Sequence, residues 1–227
     1  MPYQEFYTLP QEKYTEILSA AIRLFSDQPY QSVSVEAIIR CAGISQSSFY
    51  QYFEDKKDLY LYILEFGMAR KLALVNDLQK PVTYFKTFEY LKLIMQASVQ
   101  FEIQYPDLAR IAYRAFVEET PFPEELDDLA KQGGAAHFSD LLAQGVLHDD
   151  VAPWVDTHIA TYLLQTVYHS FGHYMINRLK ITHPQSPSQS LNVFTEEAAL
   201  DLFNNLMELL EAGMGRDPES RKHYYPK

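Results

Sequence analysis

The 227-residue chain is 47% apolar and 14% aromatic, with 17 Tyr and 14 Phe, enough to build one small and one larger folded domain and to exclude a disordered protein. Its formal net charge of -11 excludes indiscriminate binding to nucleic acid. A lone cysteine, Cys41, excludes an internal disulfide and fits a reducing compartment, where it reads as a packed thiol.

The opening MPYQEFYTLPQEKY has neither a basic start nor an apolar block and predicts no signal peptide. Over residues 11–26, Tyr14, Ile17, Leu18, Ala21, Leu24 and Phe25 recur at helical spacing, and Pro29 ends that helix. Ser34 suits the N-cap of a second helix reaching about Cys41. Ala42-Gly43-Ile44 then supplies a small residue, a glycine free to take positive φ and an apolar anchor, and Ser45 caps a third helix. Two short helices joined by a glycine turn make a helix-turn-helix, whose second helix is shaped for the DNA major groove. Asp55 caps the next helix with Asp58 at its third position, and Leu59, Tyr62, Ile63, Phe66 and Ala69 continue an apolar stripe to about Leu78.

Beyond Lys80-Pro81, residues 82–104 read as a long helix closed by Tyr105-Pro106. Asp107 opens a shorter helix to about Glu118, TPFP at 120–123 interrupts, and residues 124–144 form another helix weakened by Gly133-Gly134. A loop covers 145–153. The last two helices occupy 154–179 and 195–211, separated by the polar segment THPQSPSQS. No strand pattern or repeat occurs. The expected fold is therefore all-α with about nine helices: a helix-turn-helix domain over 1–54, a regulatory and dimerisation domain over 55–213, and a flexible tail over 214–227. The uncharged run 159–176 contains Thr161, Gln165, Thr166, His169, Ser170 and His173, too polar for a lipid-facing span, so a soluble, cytoplasmic protein is expected.

Residues 1–60 carry five basic side chains against eight acidic ones. Binding to DNA by this domain must then lean on uncharged hydrogen bonds and on a second copy of the domain.

The segment 17–59, ILSAAIRLFSDQPYQSVSVEAIIRCAGISQSSFYQYFEDKKDL, resembles the N-terminal domain of the TetR family of bacterial repressors. The resemblance rests on ILxAA and LF of the first helix, Ser-Val before the second, the AGIS turn, FYxYF, and the Lys and Leu of KxxL. It implies a homodimer, one recognition helix per chain, and a C-terminal domain holding a ligand pocket and the dimer interface. Gln46 and Ser47 match base-reading positions, and a Gln amide suits adenine. Ser48, Tyr50 and Tyr52 match positions that hold phosphate or sugar, Gln51 suits either task, and Lys56 matches the family's phosphate-binding lysine at a helix N-terminus. Ser34 can cap its helix and donate to a phosphate. Tyr14 stands where relatives often have arginine, Ile39 where they have alanine, and Pro29 where they have glycine.

In the larger domain, Phe88, Phe101, Tyr113, Phe116, Phe138, Tyr162 and Tyr168 lie on predicted inward stripes, with Arg110, Arg114, Gln165 and His169 as polar candidates to orient a lipophilic or flat ligand. His169 and His173 share a helical face but lack a third ligand, so no metal or other cofactor is expected, and no catalytic group. The last helix is apolar on two sides, Ala199, Leu202, Leu206 and Leu209 against Ala198, Phe203, Met207 and Leu210, as for a helix with one neighbour in its own domain and another in a partner chain. The reading is a homodimeric, ligand-released repressor of a palindromic operator. Its rivals are a helical ligand-binding protein that has lost DNA affinity and a metal-dependent bundle enzyme.

Overall fold

The computed structural model describes residues 2–78, 86–132, 135–181 and 193–216, with backbone alone at 76–78, 130–132 and 135–137. Eleven α-helices lie among these residues: α1 Gln4–Tyr7, α2 Gln11–Asp27, α3 Val35–Ala42, α4 Gln46–Tyr52, α5 Lys56–Leu78, α6 Thr87–Gln104, α7 Pro106–Val117, α8 Pro123–Gln132, α9 Ala135–Leu147, α10 Thr157–Leu179 and α11 Glu197–Met214. The two more than expected are α1 and the division of residues 124–144 into α8 and α9. The breaker segments at 80–81 and 133–134 and the linker at 182–190 lie outside the described residues, as does 217–227.

The helices form two compact units, Met1–Arg70 with Tyr105–Leu129, and Lys71–Gln104 with Ala130–Lys227. The first unit thus extends past the expected boundary at 54, taking in much of α5 and all of α7. Its core is built from Ile17, Phe25, Ile38, Phe49, Phe53, Leu59 and Ile63, all fully or almost fully buried. A second feature was not expected: Phe6 of α1 is fully buried, with ring centroids 4.9 Å from Tyr14, 4.7 Å from Phe53 and 5.7 Å from Tyr62. Tyr14, in the place of the missing cation, meets Tyr62 hydroxyl to hydroxyl at 2.7 Å. Burial and that bond both push the Tyr62 hydroxyl's pKa up.

Polar contacts tie α7 and α8 into the same unit. The buried Ser26 hydroxyl donates to Asp107 Oδ1 at 2.9 Å and accepts from Arg110 Nη1 at 3.1 Å. Phe122 is buried against Tyr30 at 4.8 Å, and Lys57 pairs with Glu125 at 3.0 Å.

The second unit packs α6, α9, α10 and α11 around Leu91, Met95, Val99, Phe138, Leu164, Met175, Phe203 and Met207. On α11 the inward stripe is Ala199, Phe203, Met207, Leu210 and Met214; Leu202 and Leu206 are half-buried, and Ala198 and Leu209 are exposed. The membership of the two apolar sides differs from the expectation: Ala199, Leu202 and Leu206 pack inward, Ala198 is exposed, and Leu209 remains outside. Residues 214–216, expected in the tail, are held. Ala152 N–H donates to Met214 O at 2.8 Å, Arg216 N–H donates to Asp150 O at 3.0 Å, and Val151 faces Gly215 in an isolated antiparallel bridge.

Candidate nucleic-acid interface

Local chemistry sets each end of the helix pair. Ala37 N–H donates to Ser34 Oγ at 3.1 Å, which fixes the start of α3 and leaves the Ser34 proton able to donate outward. Gly43 closes α3 at φ 61°, and the N–H of Ile44 reaches back to Ile39 O at 3.2 Å. Only glycine takes that backbone without strain, so the turn is written into the sequence. Ser48 N–H donates to Ser45 Oγ at 3.0 Å, and the hydroxyls of Ser47 and Ser48 each lie 2.8 Å from the same oxygen. At α5, Asp58 N–H donates to Asp55 Oδ1 and Asp58 Oδ2 accepts from Glu54 N–H, so two carboxylates settle the first turn reciprocally.

Phe49, and Phe53 just past the end of α4, are fully buried and fix the rotation of that helix. Gln46, Ser47, Tyr50 and Gln51 are exposed and fall at i, i+1, i+4 and i+5, on one face away from Phe49. That face is uncharged and rich in hydrogen-bonding groups. Ser48 and Tyr52 are half-buried and turned from it: Ser48 belongs to the serine cluster, and the Tyr52 ring lies 6.0 Å from Phe6 while its carbonyl accepts from Tyr3 N–H at 2.9 Å. Lys56 has its ammonium on the carbonyls of Tyr30 at 2.8 Å and Val33 at 2.7 Å. On α3, Cys41 is half-buried and accepts from Arg23 Nη2 at 3.0 Å.

The candidate ligand residues fall into three groups. Phe101, Phe138, Tyr168 and His169 come together in the second unit around a residue not singled out in the sequence, Lys71, whose ammonium lies 3.7 Å from the Tyr168 ring centroid and 5.6 Å from that of Phe101. Phe138 meets Tyr168 edge to face at 5.4 Å, and Gln165 is half-buried one turn earlier on α10. Burial pushes the nearby Glu102 carboxyl up to about 7, against the pull of Lys71, and pushes His169 down to about 4, with Lys71 adding to the effect. A lone lysine among apolar positions of a helix carries little signal by itself, so only the fold marks it.

Arg110, Tyr113, Arg114 and Phe116 belong to α7 in the first unit, where Arg110 bonds Ser26 and Arg114 faces Glu118 at 3.6 Å. Tyr162 is 70% exposed on the outer face of α10, and Phe88 instead lines a cavity of about 1000 Å³ among charged groups including Lys86, Glu89, Lys92 and Asp150. His173 pairs with Asn177 at 2.9 Å. Among the described residues no three His, Cys, Asp or Glu side chains gather as a metal site, and no helix is long and apolar enough to cross a membrane.

Comparison with known proteins matches the chain in two consecutive stretches, the second of which includes α7. Residues 17–63 match the family described as bacterial regulatory proteins, tetR family, and residues 85–215 match the tetracyclin repressor-like C-terminal domain. A TetR family transcriptional regulator from Chloroflexus aurantiacus superposes with a TM-score of 0.80 at 32% identity, over 96% of this chain and 100% of that one. The regulator FadR of Bacillus subtilis, solved with stearoyl-CoA, shares the fold at a TM-score of 0.65 and 16% identity, over 88% of this chain and 98% of its own. The HTH-type regulator YwcC of Bacillus subtilis is 32% identical over 80 residues, 35% of this chain and 36% of its own length. AcrR of Shigella flexneri is 42% identical over 55 residues, 24% and 26% respectively. The match thus spans about a third or less of these two relatives. With both domains matched in order and a helix-turn-helix whose caps, turn and exposed face are in place, the chain belongs to the TetR family of bacterial helix-turn-helix transcriptional regulators.

Proposed function

We propose that the protein is a homodimeric repressor that holds a palindromic operator through two copies of α4 and releases it when a lipophilic or aromatic ligand occupies the second unit. The observation that carries this reading is the uncharged face of Gln46, Ser47, Tyr50 and Gln51, exposed on a helix whose base is fully buried. In a domain short of cations such a face gains its affinity from hydrogen bonds, and two copies about 34 to 36 Å apart add their contacts in successive major grooves.

Dimerisation is supported by the outer faces of α10 and α11. Ile159, Tyr162, Leu163 and Tyr174 are exposed on the first, and Leu209, 72% exposed, on the second. Such faces are covered when two helix pairs meet as a four-helix bundle. The ligand reading is supported by Phe101 and Tyr168, whose rings face the Lys71 ammonium, and by Phe138 and His169, whose rings pack edge to face on Tyr168. Selection from a random DNA pool at low salt tests the first part: a palindrome with half-sites about one helical turn apart is the expected product, and no enrichment ends the proposal. Mass spectrometry of protein purified under mild conditions tests the second, the expected finding being a small apolar or aromatic compound.

A further inference from the structure

We propose that Lys71 and Glu102 form the head-group end of the ligand site in the second unit, and that the ligand is an amphipathic acid, a carboxylate or similar anion on an aromatic or aliphatic body. The proposal rests on that unit taking a ligand.

Three helices bring the polar groups together. Lys71, on α5, is half-buried, and its ammonium lies 3.7 Å from the Tyr168 ring centroid and 5.6 Å from that of Phe101. Among the described residues those ring faces are its only direct partners, with no hydrogen bond and no ion pair, so its three donors stay available. Glu102, on α6, reaches across to α10 at Gly172, where a side chain would collide with the carboxyl. Burial pushes that carboxyl up to about 7 against the pull of Lys71, so at neutral pH it holds its proton about half the time. His169, pushed down to about 4 by burial and by Lys71, is neutral there. The cluster thus combines a cation with a carboxyl that becomes a hydrogen-bond donor when protonated.

An anion is the complement of that set. It takes charge-assisted bonds from Lys71 and a further bond from protonated Glu102, whereas a cation would have to displace the ammonium from its rings. The body of the ligand is set by the walls. Phe101 and Phe138 are buried, and Phe138 packs on Tyr168 at 5.4 Å, so the surface beside the head group is aromatic. Thr161, Tyr168 and Gly172 fall on one stripe of α10, and the Thr161 hydroxyl is buried with no hydrogen-bond partner among the described residues. Two turns from the head group, the same stripe holds a second polar group that the fold leaves unpaired.

Glu102 couples binding to protons. A bound anion favours the protonated carboxyl, so affinity is full below about pH 6 and falls as pH rises through 7, by up to about tenfold per unit. The other charged or titratable groups of the cluster are Lys71 from α5 and His169 from α10, the latter neutral over this range. His173, next to Gly172, is exposed and paired with Asn177.

The full-length protein is titrated by calorimetry with 2-naphthoate and octanoate, each against its uncharged amide, from pH 6 to 8.5. The acids are expected to bind about tenfold or more tighter than the amides at pH 6, to take up about half a proton at pH 7, and to weaken above it. Lys71→Met should erase the preference for the acids, and Glu102→Gln should keep binding and remove its pH dependence. Acids and amides binding alike overturn the proposal, as does wild-type affinity for the acids that is flat across the pH range, and neither result depends on a variant folding. Equal binding of acid and amide leaves the ligand reading of the second unit standing, while binding of none of the four compounds counts against both.

Discussion

The ring of Phe6 stands 4.7 Å from that of Phe53, so the first short helix closes the C-terminal end of α4. Phe6 is fully buried among Tyr14, Phe53 and Tyr62. Phe6→Ala is expected to cost about 3–5 kcal/mol of the first unit's stability, from lost burial and the cavity left behind. Tyr14→Phe, which deletes only the hydroxyl bond to Tyr62, is expected to cost about 1 kcal/mol. Urea titration followed by tyrosine fluorescence measures both, and equal losses for the two variants would contradict the packing described.

On the α4 face, Gln46→Ala is expected to cost about 1–3 kcal/mol of operator affinity and to relax one base position in a repeated selection. Tyr50→Ala should weaken all duplexes alike, by about tenfold, because a phosphate or sugar contact carries no sequence preference. Competition binding against scrambled duplexes separates the two effects.

Glu102 and His169 give the second unit opposed pH responses. Glu102 is raised to about 7 by burial, so the folded state favours its protonated form: that contribution is full below about pH 4.5 and is lost as pH rises to 7. His169 is lowered to about 4, so the folded state favours neutral imidazole: its contribution is full above about pH 6.5 and is lost as pH falls towards 4. Glu102→Gln should therefore stabilise the protein at about pH 8 by roughly 1–3 kcal/mol and do nothing near pH 4.5, while His169→Gln flattens the acid limb. Gly172→Ala would set a methyl group against the end of the Glu102 side chain, which must swing aside, and is expected to shift the pH dependence that Glu102 contributes. Denaturation midpoints across the range test all three.

Leu209→Glu paired with Tyr162→Glu places charge on the exposed faces of α11 and α10. Sedimentation is expected to show a monomer with unchanged helical content, and operator affinity to fall with the loss of the second half-site. A variant that remains dimeric would move the interface elsewhere.

The helix-turn-helix was legible because its determinants are local: Ser34, Gly43 and Ser45 act on amides within five residues of themselves. The short helix α1 was not, since four residues show no periodicity and hold a helix only by virtue of the pocket that takes Phe6. Lys56 illustrates a different limit. Its carbonyl partners lie 26 and 23 positions away, so a residue known by its place in a motif acquired partners that only folding supplies. The α7 candidates Arg110, Tyr113, Arg114 and Phe116 were grouped with the ligand residues by their aromatic and polar character; that helix lies in the stretch matched to the C-terminal family domain, while the Ser26–Asp107 bond packs it into the first compact unit. On α11 the periodicity revealed two apolar sides, and packing decided which residue stood on each.

The hydrogen bonds among Ser26, Asp107 and Arg110 bear on how specificity can be transplanted. A chimaera cut after residue 54 would carry α2 away from the helix that completes it, leaving the buried Ser26 hydroxyl without its partners on α7. Residues 105–129 should travel with residues 1–70, as a graft in two pieces. Exchange between regulators of this kind then becomes a matter of matching three chain crossings and not one.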